Sequence, residues 1–263
     1  MNTKRLAICL AALWAGFVMS APALAQSGGK TPSSEDLNEK YHFCTFPVSN
    51  SSFSVKHVND VIAACTVLIN SSGGSAENRS LVHLQRGAMY RRLGKFELAL
   101  ADFTMSIHYD PNSAYAYTGR GNAHRGLKQV DEAIADHTKA IELDPKYADA
   151  YNNRGNARDD KKDYKGAVED FDKAISLDPH YAGAFNNRGL SKSHLGDKAG
   201  AIADFTEAIK LNPKYAVAFY NRGLERAESG DRAQAAADFS AALGINPDFE
   251  QAADMLKEMK AKK

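Results

Sequence analysis

The chain has 263 residues, of which 44% are hydrophobic and 25% are charged, an ordinary balance for a folded protein. Its 33 basic and 32 acidic side chains nearly cancel, so the formal net charge is only +1. This balance argues against a general role in binding nucleic acids or membrane surfaces, because both roles need an excess of positive charge.

Residues 1–25 are typical of a cleaved secretory signal peptide. Lys4 and Arg5 form a positive start, residues 6–19 are apolar, and Ala23-Leu24-Ala25 matches the small-x-small pattern of a cleavage site. The apolar run is shorter than the ~20 residues that a membrane-spanning helix needs. We therefore expect cleavage after Ala25 and a periplasmic or secreted protein.

Two segments precede the regular part of the chain. Residues 26–40 are rich in Gly, Ser, Pro and charged side chains, a composition typical of a flexible leader. Residues 41–79 are predicted to form a degenerate N-terminal capping repeat, because 61–69 align with 133–141 in the repeats described below. The alignment puts Cys65 where most repeats have an aromatic residue.

Cys44 and Cys65 are the only cysteines that follow the signal segment. In an exported protein an even pair is more typical of a disulfide than of two free thiols. A redox-active pair is the alternative, but its cysteines would usually lie two residues apart. We therefore expect a Cys44–Cys65 disulfide that stabilises the cap.

From residue 80 onwards the sequence repeats every 34 residues. A proline preceded by Asp or Asn closes each repeat, and a glycine preceded by arginine recurs in its first half. Self-similarity at this period predicts stacked supersecondary units. The five repeats are 80–113, 114–147, 148–181, 182–215 and 216–249.

The spacing of residues inside one repeat predicts a helical hairpin. In the third repeat, Tyr151 and Gly155 share one face of a first helix, and Ala167 and Phe171 share one face of a second. Pro179 then ends the second helix, because proline lacks the amide donor. A single hairpin cannot bury its apolar face alone, so the repeats are expected to stack.

This length, the small and aromatic pattern and the closing proline resemble the tetratricopeptide repeat family over residues 80–249. The resemblance implies an all-α fold, an α-solenoid of stacked helix-turn-helix hairpins wound into a right-handed superhelix. It also implies a concave surface, lined by the first helices, that binds proteins or peptides. His137 departs from the pattern by replacing the aromatic residue of the second repeat, and we expect it to be structural.

Residues 250–263 continue the period without its signature residues. Ala252, Leu256 and Met259 form a narrow apolar stripe, while Lys257 and Lys260 are expected to face outward. This pattern predicts the capping helix that a solenoid needs at its open end.

An arginine and an aspartate recur at fixed positions in every repeat. We expect each arginine to reach an aspartate of its own or the preceding repeat through charge-assisted hydrogen bonds. Such pairs fix the register more than they add stability, because burying charge costs free energy. The predicted pairs are Arg86 with Asp102, Arg120 with Asp136, Arg154 with Asp170, Arg188 with Asp204, and Arg222 with Asp238.

Asparagines precede several of these arginines, on the helices that the resemblance places along the concave surface. A carboxamide offers both a donor and an acceptor, so it can hold a peptide main chain whatever the side chains are. Alternatively, these asparagines only solvate the helix surface or cap a neighbouring group. The predicted peptide-binding residues are Asn122, Arg125, Tyr151, Asn152, Asn153, Asn186, Asn187, Tyr220 and Asn221.

Charges are unequally distributed along the same predicted surface. Opposite charges at its two ends would orient an extended partner; ordinary solvated charge is the alternative. The basic residues are Arg91, Arg92 and Arg125, and the acidic ones are Asp149, Asp159, Asp160 and Glu228.

The sequence has no nucleophile elbow, two-helix zinc pattern, dinucleotide fingerprint or calcium loop. We therefore expect no enzyme activity, no cofactor and no metal site. The favoured function is an exported, non-catalytic scaffold or adaptor that binds a protein or peptide in the concave groove. It would bind no nucleic acid and insert in no membrane after signal cleavage, and it could form homo-oligomers. The alternative is an accessory or self-associating structural protein of the cell envelope that uses its convex face or N-terminal segment.

Overall fold

The computed structural model describes residues 33–45, 54–71 and 74–261, so the predicted signal peptide and its cleavage site lie outside the described residues. Every regular element in the described residues is an α-helix. The helices are α1 (Ser34–Thr45), α2 (Val55–Asn70), α3 (Ala76–Arg92), α4 (Phe96–Tyr109), α5 (Ala114–Gly126), α6 (Val130–Leu143), α7 (Ala148–Asp160), α8 (Tyr164–Leu177), α9 (Ala182–His194), α10 (Lys198–Leu211), α11 (Ala216–Glu228), α12 (Arg232–Ile245) and α13 (Glu250–Ala261).

The chain divides into two compact units, residues 1–37 and 38–263. Of the first unit the structure describes only the start of α1. There the Ser33 N–H donates to Asp36 Oδ2 (3.0 Å) and the Asp36 N–H donates to Ser33 Oγ (3.1 Å). This reciprocal cap satisfies two backbone donors that a helix start leaves open. The helix consequently begins inside the segment for which the sequence predicts a flexible leader.

The second unit is a stack of helical hairpins, and the predicted α-solenoid is confirmed. Helices α3 to α12 pair in sequence order, α3 with α4 through α11 with α12, and each hairpin packs on the next. The capping helix α13 packs against α12 and buries Ala252. Its last turn is capped from outside, because Arg232 Nη2 donates to the carbonyl oxygens of Glu258 and Met259, each at 3.0 Å.

The two helices of a hairpin cross where a glycine on the first helix faces an aromatic ring on the second. Phe171 is fully buried, and a Cβ placed on Gly155 would lie 2.7 Å from its ring. Gly189 and Gly223 stand in the same relation to the rings of Phe205 and Phe239. The glycine therefore lets the two helices approach closely enough for the ring to fill the space between them.

The N-terminal cap consists of α1, from Asn38 onward, and α2, which packs against α3. Cys44 and Cys65 are fully buried and joined in a disulfide, with 5.2 Å between their Cα atoms. The disulfide therefore stands in the cap where most hairpins have the buried phenylalanine.

The two sides of the stack differ in how closely the helices approach. Each first helix from α3 to α9 contacts the first helix of the next hairpin as well as its own partner. In the described residues the second helices make no comparable contact with one another. The elements that approach most closely lie on the inner side of a curved stack. We call this inner side, formed by α3, α5, α7, α9 and α11, the first-helix face.

No helix in the described part of the chain is both long enough and apolar enough to cross a membrane.

Candidate functional site

Each of the five hairpins contains an ion pair between its first and second helices. In the first hairpin, Arg86 Nε and Nη2 donate to the two oxygens of Asp102, each at 2.8 Å. Such bidentate pairs fix geometry as well as charge. The aspartates are buried. The shortest nitrogen–oxygen distances are 2.8 Å for Arg86–Asp102, 2.7 Å for Arg120–Asp136, 2.7 Å for Arg154–Asp170, 2.6 Å for Arg188–Asp204 and 2.7 Å for Arg222–Asp238.

Four of these arginines also reach the second helix of the preceding unit. The Nη1 atom of Arg154 donates to Thr138 Oγ1 at 3.2 Å, so one guanidinium joins two neighbouring hairpins. The carboxylate always comes from the arginine's own hairpin, and the preceding unit contributes a hydroxyl group or a second carboxylate. The other contacts are Arg86 to Thr66 (3.0 Å), Arg188 to Asp172 (2.6 Å) and Arg222 to Thr206 (3.1 Å).

A second basic side chain approaches each buried aspartate and is absent from the predicted pairs. In the last four hairpins this residue follows the arginine by four positions, one helical turn, which is the signal that could have revealed it. The partners are His124 of Asp136 (3.7 Å), Arg158 of Asp170 (3.0 Å), Lys192 of Asp204 (2.8 Å) and Arg226 of Asp238 (2.7 Å). In the first hairpin His83 takes this role, with Nδ1 at 2.9 Å from Asp102.

These contacts shift the protonation equilibria of the paired groups. Burial alone would raise the pKa of Asp102, but hydrogen bonds from His83 and Arg86 bring it below its usual range. The hydrogen bond to Asp136 raises the pKa of Arg120 against the opposing effect of burial. The Asp102 carboxylate and the Arg120 guanidinium are therefore charged at neutral pH.

The two tyrosines predicted to bind a peptide are engaged in packing. The guanidinium of Arg154 lies 5.7 Å from the ring centroid of Tyr151, within cation–π distance. The Tyr220 ring contacts those of Phe239 and Phe249, with centroids 5.8 Å and 4.9 Å away. Both rings therefore contribute to the stability of the hairpins, and each has one surface covered by its own chain.

The predicted asparagines fall into two groups, and the first is interior. Asn152, Asn186 and Asn221 are 5%, 2% and 7% exposed. The Nδ2 atom of Asn187 donates to Asn152 Oδ1 (3.1 Å), and that of Asn221 donates to Asn186 Oδ1 (2.9 Å). Asn187 Oδ1 also accepts a hydrogen bond from Asn186 (3.4 Å). These carboxamides join neighbouring first helices and leave little surface for a ligand.

The second group is open on the first-helix face. Asn122 and Asn153 are half-buried on α5 and α7, and their carboxamides form no hydrogen bond with any described residue. The same is true of Asn156, which is not among the predicted peptide-binding residues. Asn156 lies one helical turn beyond Asn153 and one full repeat after Asn122, and this spacing was the available signal. We call Asn122, Asn153 and Asn156 the open carboxamides.

Several charged residues form contacts between neighbouring repeats. Arg125, an exposed member of the predicted set, donates from Nε to Asp160 Oδ2 at 2.6 Å. Asp159 accepts a hydrogen bond from Ser191 (2.5 Å). Lys198 pairs with Glu228 at 2.8 Å. Of the charges that the sequence predicts along this face, Arg125, Asp160 and Glu228 therefore form ion pairs.

His137 fills the ring position of the second hairpin and is fully buried. A Cβ on Gly121 would lie 2.7 Å from its ring, the same approach that Gly155 makes to Phe171. No described residue forms a hydrogen bond with either ring nitrogen. Burial, reinforced by the charges of Arg125 and Arg154, lowers the pKa of His137 from 6.5 to about 3. The histidine is therefore neutral and acts as a substitute for phenylalanine.

The described residues contain no group of three or more His, Cys, Asp or Glu side chains placed to hold a metal ion.

The tetratricopeptide repeat family matches this sequence at three of the predicted repeats. Family models described as "Tetratricopeptide repeat" match residues 148–181, 182–215 and 216–249, and a model described as "TPR repeat" matches residues 121–159. No curated protein matched the sequence.

Several solved structures share the fold. MamA is 26% identical to this chain, with a TM-score of 0.54, and the match covers 67% of this chain and 97% of MamA. YrrB, described as a TPR protein with an unusual peptide-binding site, is 24% identical with a TM-score of 0.54, over 68% of this chain and 92% of YrrB. TTC0263, a thermophilic TPR protein of Thermus thermophilus, is 19% identical with a TM-score of 0.60, over 69% of this chain and 98% of TTC0263.

Proposed function

Since this chain is a tetratricopeptide repeat protein, we propose that it is an exported, non-catalytic scaffold that binds a protein or peptide along its first-helix face. Export is supported by the signal pattern of residues 1–25 and by the Cys44–Cys65 disulfide, which suits an oxidising compartment. The same fold carries a peptide-binding site in YrrB.

One observation carries the choice of surface. Asn122, Asn153 and Asn156 are partly accessible on adjacent first helices, and their carboxamides are not engaged by described residues. A polar group that is half removed from water gains free energy when a partner completes its hydrogen bonds. Because each carboxamide can both donate and accept, an extended main chain is the partner that fits them best.

The proposed ligand is therefore an extended peptide segment held mainly through its main chain. The Arg125–Asp160 pair lies beside the open carboxamides, where its two charges can orient the bound segment. An exposed pair of this kind contributes little affinity by itself. It disfavours a peptide that places a charged side chain beside the member of the pair that has the same charge. This arrangement predicts broad sequence tolerance with a dependence on charge at one position.

The test is selection of peptides from a displayed random library on the purified protein, followed by titration calorimetry with the selected peptide. The triple variant Asn122→Ala, Asn153→Ala, Asn156→Ala is expected to bind at least about tenfold more weakly, because several main-chain hydrogen bonds of about 0.5–1.5 kcal/mol each are lost. Asn59→Ala on α2 is the matched control, since its exposed carboxamide lies outside the five hairpins. Unchanged affinity in the triple variant would refute the proposed surface.

The second candidate is an accessory or self-associating structural protein of the cell envelope. A groove between α1 and α2, lined in part by the exposed ring of Phe43, favours this candidate for the N-terminal segment. Loss of self-association on deleting residues 26–79, with peptide binding retained, would separate the two candidates.

A further inference from the structure

A solenoid has two ends, and both ends of this one carry an apolar groove. At the N-terminal end, α1 and α2 enclose a groove of about 610 Å³. Its apolar lining includes Phe43, Ala63 and Val67, and the carboxylates of Glu39 and Asp60 also line it. Lys40 and His42 also line the groove, so carboxylates and basic groups are mixed here.

At the C-terminal end, α12 and α13 form a second groove of about 470 Å³. Leu243, Ala253 and Leu256 provide its apolar surface. Lys257 and Lys260 are its only charged lining residues among those described, and both are exposed. This end therefore presents an apolar stripe bordered by positive charge.

Four charged side chains at the two ends have no ion-pair partner among the described residues. Among the described residues no ion pair involves Glu39, Asp60, Lys257 or Lys260. This differs from the interior of the stack, where each buried aspartate has two basic neighbours. Terminal repeats have one uncovered side, since a solenoid hairpin normally packs on both.

We propose that two copies of this chain associate head to tail, with α13 of one copy lying in the α1–α2 groove of the next. The apolar stripe of α13 would cover Phe43 and Val67, and Lys257 and Lys260 would face Glu39 and Asp60. The occupant is a second copy because the formal net charges of the two linings are opposite in sign: Glu39 and Asp60 outnumber Lys40 in the α1–α2 groove, with His42 counted as neutral, whereas the other groove carries only lysines. A contact between two different surfaces leaves one of each unused in a pair of copies, so further copies can add to form a closed ring or an open chain.

The head-to-tail contact names the two surfaces through which the second candidate function, self-association, would occur. It does not depend on peptide binding by the open carboxamides. Asn122, Asn153 and Asn156 lie on α5 and α7, away from both end grooves. Either proposal can therefore fail while the other holds.

The test uses analytical ultracentrifugation of protein produced from the full sequence. At low salt the wild-type protein should show concentration-dependent species larger than one copy, and they should dissociate as the salt concentration rises. The variant Lys257→Glu/Lys260→Glu and the variant Glu39→Lys/Asp60→Lys should each be monomeric, because each then carries the same sign of charge at both ends. An equimolar mixture of the two should reassemble, because every contact in it again joins opposite charges.

The control is Lys146→Glu/Lys173→Glu, which changes the net charge by the same amount as Lys257→Glu/Lys260→Glu but at exposed sites away from both ends. It should associate as the wild-type protein does. A monomeric wild type at low salt would overturn the proposal. So would continued assembly of either end variant alone, or failure of the mixture to reassemble. Both end variants should keep the peptide affinity of the wild type, which separates this outcome from failure of the first-helix face.

Discussion

Arg154 binds Asp170 of its own hairpin and Thr138 of the hairpin before it. Its Nη2 lies 2.7 Å from Asp170 Oδ1, and its Nη1 lies 3.2 Å from Thr138 Oγ1. Its guanidinium also covers the ring of Tyr151. One side chain therefore holds together the two helices of a repeat and two consecutive repeats, and related contacts recur along the stack.

Removing the carboxylate from this arrangement should be costly. In Asp170→Ala, Arg154 and Arg158 lose their shared anion while both remain largely buried. An uncompensated buried charge typically costs about 3–5 kcal/mol. We expect a loss of that size in the free energy of unfolding, measured by urea denaturation. Glu169→Ala, at an exposed carboxylate on the same helix, should change it by less than about 0.5 kcal/mol. Equal stability of the two variants would contradict the structural role of the pair.

The two groups of asparagines should separate in a stability measurement. Asn186→Ala removes the acceptor of the buried Asn221 carboxamide and should destabilise the protein by about 1–3 kcal/mol. Asn153→Ala removes a carboxamide that no described residue uses and should be close to neutral. Thermal denaturation of both variants provides the check. A large loss in Asn153→Ala would show that this carboxamide has a structural partner and would weaken its assignment to binding.

The disulfide should stabilise the cap more than the rest of the stack. Cys44→Ala/Cys65→Ala opens a loop of 21 residues, and the chain-entropy model assigns such a loop about 3 kcal/mol. Because each repeat contacts mainly its neighbours, the loss should stay local. Hydrogen exchange is expected to accelerate in α2 and to remain unchanged in α8 to α12. Uniform acceleration along the whole stack would contradict this locality. A reducing agent should have no effect on the double variant.

The sequence was sufficient to predict the hairpins, because their signals repeat with the chain. Glycine and phenylalanine recur 16 residues apart in four hairpins, and His137 takes the place of phenylalanine in the remaining one. The start of α1 was not predictable in this way, since it depends on a cap made by Ser33 and Asp36 in a segment with no repeat. The composition of this segment predicts a flexible leader, but the local hydrogen bonds of the cap start a helix there.

The candidate site was less predictable than the fold. Asn152 and Asn153 are adjacent, so their directions on a helix differ by about 100°. Which of the two faces the solvent depends on the distance to the next first helix. The spacing of residues in the sequence does not give that distance. Asn152 is buried against Asn187 of the next hairpin, whereas Asn153 is open. Packing between repeats thus divided a series that looks uniform in the sequence.

His137 should make the stability of the protein depend on pH. Its pKa is about 3 in the folded protein, because burial disfavours the charged ring, and 6.5 is its ordinary value. Between these values the unfolded chain binds a proton that the folded chain does not. Above pH 6.5 the titration of this histidine therefore does not change the free energy of unfolding. As the pH falls below 6.5, protonation of the histidine in the unfolded state lowers the free energy of unfolding. The slope from this one group reaches at most about 1.4 kcal/mol per pH unit.

The variant His137→Phe tests this dependence, because phenylalanine occupies the equivalent position in the other four hairpins. We expect a gain of about 1–3 kcal/mol at neutral pH, since two buried nitrogens without described partners are replaced by carbon. We also expect a weaker loss of stability between about pH 6.5 and pH 4, because the titrating group is gone. Urea denaturation across this range measures both effects. His180→Gln, at an exposed histidine, should keep the wild-type pH dependence. If His137→Phe retained the same slope, the acid sensitivity would have to come from other groups, such as the aspartates of the ion pairs.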